Sequence, residues 1–228
     1  MILIGLGHYS RTGKDTFADA FVQAYGPRAK KMSFAWKLKL ICYDLYAWAG
    51  MKPPRWYDTP EGAKDRDIVL PAIGKTPVQI WVDMGTKGVR DQVYDRTWID
   101  YLRYSDHDCD VMLVPDVRFP NEVEVPDITI KVVRPGYGPR KTLPDRLLLP
   151  YRDWDYVIGA SGNIEDIRVI AKVMSQRLKS GAKLPVQTEQ EKFAALGVEK
   201  IEPWEDDYKW LPGGFSVVSG RLCNHLAA

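Results

Sequence analysis

Cysteine is scarce in this chain. Cys42, Cys109 and Cys223 are odd in number, widely spaced, and form no Cys-x-x-Cys pair. That argues against a disulfide framework and a thiolate zinc site, and it fits a reducing cytoplasm. Excess charge of one sign is also missing. A formal net charge of +2 gives no electrostatic basis for bulk nucleic-acid binding. No apolar run approaches the roughly 18 residues of a membrane span. The N-terminus lacks a basic n-region, and Ile2–Leu6 is too short for a signal h-region. There is no internal repeat. What is left is room for one α/β domain with a sizeable core in 228 residues.

The first 25 residues carry the strongest positive signal. An apolar run (Ile2, Leu3, Ile4, Leu6) leads into a loop from His8 to Gly13. Lys14, Asp15 and Thr16 follow, and then Phe17, Ala18, Phe21, Val22 and Tyr25 at helical spacing. Strand, loop, Gly-Lys and helix together make a phosphate cradle. Loop N–H groups and the helix N-terminus face the anion, and a lysine reaches the terminal phosphates. The strict pattern G-x-x-x-x-G-K-[ST] is broken twice. His8 stands at the first glycine, and Asp15 precedes the hydroxyl of Thr16. The expected ATP-binding residues are Arg11, Thr12, Gly13, Lys14, Asp15 and Thr16. The alternative is a plain strand-to-helix turn with Lys14 solvated and Asp15 or Thr16 favouring the helix start.

Further along, the apolar runs Lys30–Phe34, Val111–Val114, Ile128–Val133 and Tyr156–Ile158 read as strands. Asp15–Tyr25, Trp36–Ala49, Pro77–Met84, Trp98–Tyr104 and Ile164–Leu178 read as helices. The last puts Ile164, Ile167, Ile170, Ala171, Met174 and Leu178 on one face. This alternation predicts a mainly parallel five-stranded sheet with helices on both faces, binding ligands at the strands' carboxyl ends. Residues 51–76 and 134–152 are rich in Pro, Gly and charge and read as surface excursions, the candidates for flaps over a site. The second is basic, with Arg134, Arg140, Lys141, Arg146 and Arg152. Beyond about residue 183 the chain is acidic and aperiodic and reads as an appendage, 184–228, ending in a segment that resembles a cloning remnant. Its Trp204, Tyr208, Trp210 and Leu211 would dock on the chain's own domain or on a second copy in a homodimer.

A second constellation is Val111–Glu124, VMLVPDVRFPNEVE. A core strand ends at Asp116, placed to orient hydrated Mg²⁺, and Arg118 follows, placed to hold a phosphate; an Asp–Arg pair closing a turn is the plainer alternative. Four pieces now stand in order: Gly13-Lys14-Asp15-Thr16; MGTKGVRDQVYDRTWID with Gly85, Thr86, Arg90 and Trp98; Asp116-Val117-Arg118-Phe119-Pro120-Asn121-Glu122; and Val133-Arg134-Pro135-Gly136, followed by DYVIGASGNIEDI. Over residues 1–178 the chain resembles the phage-type deoxynucleoside monophosphate kinases, a branch of the P-loop kinases. It departs from them at Ala35-Trp36-Lys37-Leu38-Lys39, where the family tends to Ala-Asp-Pro-Leu-Lys, and at TLPDRLLLPYRD, where a His and a Ser-Glu pair are frequent.

The resemblance implies the three-layer P-loop NTPase fold over residues 1–183. It also implies transfer of the γ-phosphoryl of ATP to the 5′-phosphate of a deoxynucleoside monophosphate, with Mg²⁺. Such transfer needs positioning and charge neutralisation rather than a general base, so cations and backbone amides are the expected parts. Lys14 would hold the ATP phosphates, Thr16 a phosphate or the metal, and Asp116 the metal's water shell. Arg118 and Arg90 would grip the acceptor, with Trp36 against its base. Arg134, Arg140, Arg146 or Arg152 would close over the transferring group. Open alternatives are another small-molecule kinase on the same scaffold, such as one acting on dephospho-coenzyme A, and a non-catalytic nucleotide-binding or nucleic-acid-associated protein.

Overall fold

The computed structural model describes residues 1–7, 9–134, 137, 154–160, 163–196, 215–218 and 221–224. His8, Arg140, Lys141, Arg146, Arg152, Trp204, Tyr208, Trp210 and Leu211 lie outside them. The chain divides into two compact units. One joins Met1–Met32 to Asp108–Ala228, and the other is Ser33–His107.

The first unit begins with β1 (Ile2–Gly7), α1 (Lys14–Tyr25) and β2 (Ala29–Lys31). The second holds α2 (Trp36–Tyr46), α3 (Gly62–Asp65), α4 (Pro77–Val82) and α5 (Thr97–Tyr104). The chain then returns to the first unit with β3 (Val111–Val114), α6 (Pro120–Val123), β4 (Ile128–Val133), β5 (Tyr156–Gly159), α7 (Ile164–Lys179) and α8 (Glu189–Leu196). An antiparallel pair, β6 (Phe215–Val218) and β7 (Arg221–Asn224), follows.

The sheet is five-stranded and all parallel, in the order β2-β3-β1-β4-β5. Strands buried on both faces need apolar runs; β1 and β3 have them, and β4 has one interrupted by buried Thr129 and Lys131. One face sets Ile4, Leu6, Val111, Leu113, Ile130, Val132 and Ile158 against Phe17, Phe21, Ile167, Ala171 and Met174 of α1 and α7. These two helices also pack on each other. α1 stops at Gly26, whose φ of 99° suits a residue without Cβ and whose N–H donates to Val22 O at 2.9 Å. On the opposite face the backbone comes close to its cover. A Cβ at Gly5 would lie 2.5 Å from Pro126 Cγ, and one at Gly7 would strike the Trp154 ring. The arrangement is α/β and consistent with a three-layer build.

Some details differ from the sequence reading. β2 is Ala29–Lys31 and not Lys30–Phe34, because Met32 and Ser33 leave the sheet once Met32 N has bonded Leu113 O. α7 buries Ile167, Ala171 and Met174 as expected, but Ile164 is half exposed. The stretch after residue 183, read as aperiodic, contains α8 and the β6–β7 pair, and RLCN of the terminal segment is β7. Gln187 acts as a partner for the sheet edge: its Oε1 accepts from Val157 N at 2.6 Å and its Nε2 donates to Val157 O at 3.0 Å.

In the second unit the predicted helix Trp36–Ala49 is α-helical to Tyr46 and 3₁₀ over Ala47–Ala49. The predicted helix Pro77–Met84 is α-helical to Val82 and then widens into a π-helix, Asp83–Arg90. Gly85 permits this: a Cβ there would collide with Leu38 Cδ2, and the Gly85 carbonyl accepts a buried bond from Trp98 Nε1 at 3.0 Å. Residues 51–76 are folded into the unit. They form a 3₁₀ turn at Pro54–Asp58, α3 and a Leu70–Lys75 bridge, with Met51, Tyr57 and Leu70 buried.

Candidate functional site

The connection leaving β1 leads to β2 on one side of the sheet, and the connection leaving β4 leads to β5 on the other. Loops that diverge in this way open a crevice at the strands' carboxyl ends. A cavity of about 280 Å³ lies there, lined by Arg11, Thr12, Gly13, Lys14, Asp15 and Thr16, by Arg134 after β4, and by Ala160, Asn163, Ile164 and Ile167 after β5.

The loop after β1 is shaped by its backbone. Arg11 has φ +65°, an unusual conformation for a residue with a side chain, and Gly13 has φ +104°. Gly13 occupies the N-cap of α1 and brings no side-chain acceptor to the first turn. The N-cap side chain takes up none of the first-turn N–H groups, and Lys14, Asp15 and Thr16 of that turn line the cavity. A Cβ on Gly13 would lie 2.5 Å from Ile167 Cδ1, so a glycine is needed for space as well as for φ. Thr12 is fully buried, and its Oγ1 donates to Tyr9 O at 3.2 Å. Lys14 Nζ donates to the same carbonyl.

Asp15, the residue that departs from the usual hydroxyl, lines the cavity and is paired with a cation from β2. Lys31 Nζ pairs with Asp19 at 2.6 Å and with Asp15 at 3.6 Å. Burial alone would lower the Lys31 pKa, but its hydrogen bond to Asp19 and the charges of both carboxylates outweigh that and leave it raised. An acid that would repel a phosphate is thus partly neutralised from the β2 side.

Across the cavity, Arg134 is exposed and its guanidinium stacks on the Tyr137 ring, 4.8 Å from the centroid. Asn163 caps α7, accepting from Glu165 N at 3.1 Å, so a second long helix begins at the cavity wall. The sequence reading named neither Ala160, Asn163, Ile164 nor Ile167 as site residues. The small residues after β5 and the capping asparagine were the available signal, since the crevice rule brings the loop after β5 to the same rim.

Asp116 and Arg118 follow β3, on the other side of β1 from Arg134, and are not in the cavity lining. Buried Glu122 accepts from Arg118 N at 2.7 Å and from Phe119 N at 3.0 Å with one oxygen, Oε2. This leaves the Arg118 side chain exposed. Trp36 opens α2 and Arg90 ends the π-helix, so both belong to the 33–107 unit. Arg140, Arg146 and Arg152 lie outside the described residues. Among the described residues no cluster of three metal-ligating side chains occurs, and no helix is long and apolar enough to cross a membrane.

No protein-family model matches the chain, and comparison with the curated proteins gives no match.

Proposed function

We propose that the chain transfers the γ-phosphoryl group of ATP to the 5′-phosphate of a deoxynucleoside monophosphate, giving a deoxynucleoside diphosphate and ADP. The observation that carries the nucleotide half is the cavity built from six consecutive residues, Arg11–Thr16, faced by Arg134. Two helix N-termini and three cationic side chains around one crevice favour a polyphosphate. What supports the acceptor half is the ordered resemblance in sequence, from Lys14 through Arg90 and Arg118 to Arg134.

In this reading an oxygen of the acceptor phosphate, already ionised near neutral pH, attacks Pγ. The bond from Pγ to the bridging oxygen breaks, and its electron pair leaves on ADP. No group of the protein has to take a proton. Lys14 and the first-turn N–H groups hold the donor phosphates in line, and Arg134 stabilises the charge that spreads over the equatorial oxygens. Arg118 would hold the acceptor phosphate, and the roles of Arg90 on that phosphate and of Trp36 on the base rest on the sequence resemblance alone. Thr16 and Asp116 are hard oxygen donors of the kind Mg²⁺ takes. Thr16 lines the cavity, and Asp116 would act through water. When bound, the metal neutralises charge on the phosphates.

The test is ADP formation from ATP and Mg²⁺ with dTMP, dGMP, dCMP and dAMP in turn. Turnover that requires one or more of these monophosphates is the expected result. ATP binding without turnover on any of the four would overturn the acceptor assignment, and absence of ATP binding would overturn the nucleotide assignment.

A further inference from the structure

Lys131 stands in the middle of β4 between Ile130 and Val132, yet its side chain is directed to the face away from the α1–α7 core. It is 5% exposed. Burying a lysine in a strand is costly, and an aliphatic residue would fill the position. Its place in the sheet suggests what the charge does. Lys131 is the register partner of Gly7, the last residue of β1 before the Arg11–Thr16 loop. Its Nζ lies 5.6 Å from the centroid of the Tyr9 ring, within cation–π reach, and Tyr9 is itself buried. The Tyr9 carbonyl is the acceptor for both Thr12 Oγ1 and Lys14 Nζ. One residue thus connects a buried cation on the neighbouring strand with the hydroxyl and the ammonium of the loop.

We infer that Lys131 is a positioning residue. By fixing the Tyr9 ring, it fixes the carbonyl that holds Thr12 and Lys14, and so sets the loop in its binding shape before any ligand arrives. The effect on the loop stands by itself, and only its consequence for affinity rests on the nucleotide reading above.

The experiment compares wild type, Lys131→Met, Lys131→Arg, Tyr9→Leu and the double variant Lys131→Met/Tyr9→Leu. Methionine keeps the stem volume and removes the charge. In the ligand-free proteins, amide hydrogen exchange over Thr12–Thr16 should rise at least roughly threefold in Lys131→Met, stay near wild type in Lys131→Arg, and rise no further in the double variant than in Tyr9→Leu. Exchange over the second half of α7 serves as the internal control and should not move. Unchanged loop exchange in Lys131→Met, or effects of the two substitutions that simply add, would overturn the assignment. ATP binding is measured on the same proteins. Lys131→Met should weaken it about threefold to thirtyfold, the range of a desolvated cation–π contact, with the Arg variant restoring it. Wild type that fails to bind ATP sinks the nucleotide reading, while the exchange data still decide the role of Lys131.

Discussion

The indole of Trp154 occupies the space that a side chain on Gly7 would need: a Cβ built there meets Cη2, Cζ3 and Cζ2 of the ring. Trp154 is 1% exposed, so it has no open direction in which to retreat. Gly7→Ala is therefore an overpacking change at the end of β1, expected to cost about 1–3 kcal/mol. Trp154→Ala removes the ring and is expected to cost about 3–5 kcal/mol. Urea denaturation of each measures this. A neutral Gly7→Ala would mean the ring moves aside freely.

Lys14→Ala removes the ammonium that rests on the Tyr9 carbonyl while leaving the helix start intact. If the amine follows the charge of the reacting phosphoryl group, kcat should fall by about 10²–10³, as for loss of one preorganised donor, with the melting temperature nearly unchanged. Steady-state ADP formation checks it. A rise in KM alone would mean that Lys14 binds substrate and transition state equally.

Burial pushes the Cys42 thiol up to about 11 from its ordinary 9.0. In the range where an unfolded chain's thiol ionises, the folded one keeps its proton, so the unfolded state binds fewer protons. Stability tied to this group is complete below pH 9 and is lost as pH climbs from about 9 toward 11. Alkylation at pH 8 with intact-mass readout should leave Cys42 unmodified in the native chain and modify it in urea. Rapid native labelling would contradict the burial argument.

Thr76 caps α4 with a reciprocal pair: Thr76 Oγ1 accepts from Gln79 N at 3.2 Å, and Gln79 Oε1 accepts from Thr76 N at 2.8 Å. In a helix of only six residues this cap is a large part of what holds the first turn. Thr76→Ala should cost about 1 kcal/mol and Thr76→Ser much less, read by thermal unfolding.

Gln187→Ala should cost about 1–3 kcal/mol, because two backbone bonds of Val157 on the outermost strand are lost together. It should also raise the tendency of the chain to self-associate through the bared edge, measurable by light scattering at increasing concentration. A variant that is both as stable and as monodisperse as wild type would show that water replaces the amide at no cost.

The parts of this fold that could be read in advance are those where one physical requirement dominates. β3 was legible to the residue because a strand covered on both faces demands an unbroken apolar run, and Val111–Val114 supplies one; β4 was legible from Ile128, Ile130, Val132 and Val133 although Thr129 and Lys131 interrupt them. β2 was not, since a three-residue strand at a sheet edge (Ala-Lys-Lys) carries no such run. The π segment Asp83–Arg90 was missed because Gly85 and Gly88 blank the helical period, and the widened turn depends on Leu38 and Trp98, which are distant in sequence. At the site, Gly13 and Lys14 were legible from local spacing. Glu122 and Lys131 were not: one acts through two backbone amides and the other through an aromatic face, contacts that leave no spacing in the sequence.

β1 is synthesised well before both of its neighbours, β3 at Val111–Val114 and β4 at Ile128–Val133. The whole of Ser33–His107 is made in the interval. The central strand of the sheet, and with it the loop that follows Gly7, therefore waits as an unpaired apolar segment while an inserted unit emerges. Pairing of β1 has to await strands made after the inserted unit. For this chain, slow translation between residues 33 and 107 prolongs exposure of the N-terminus, whereas recruitment of a holding chaperone to Ile2–Leu6 in that window would protect it.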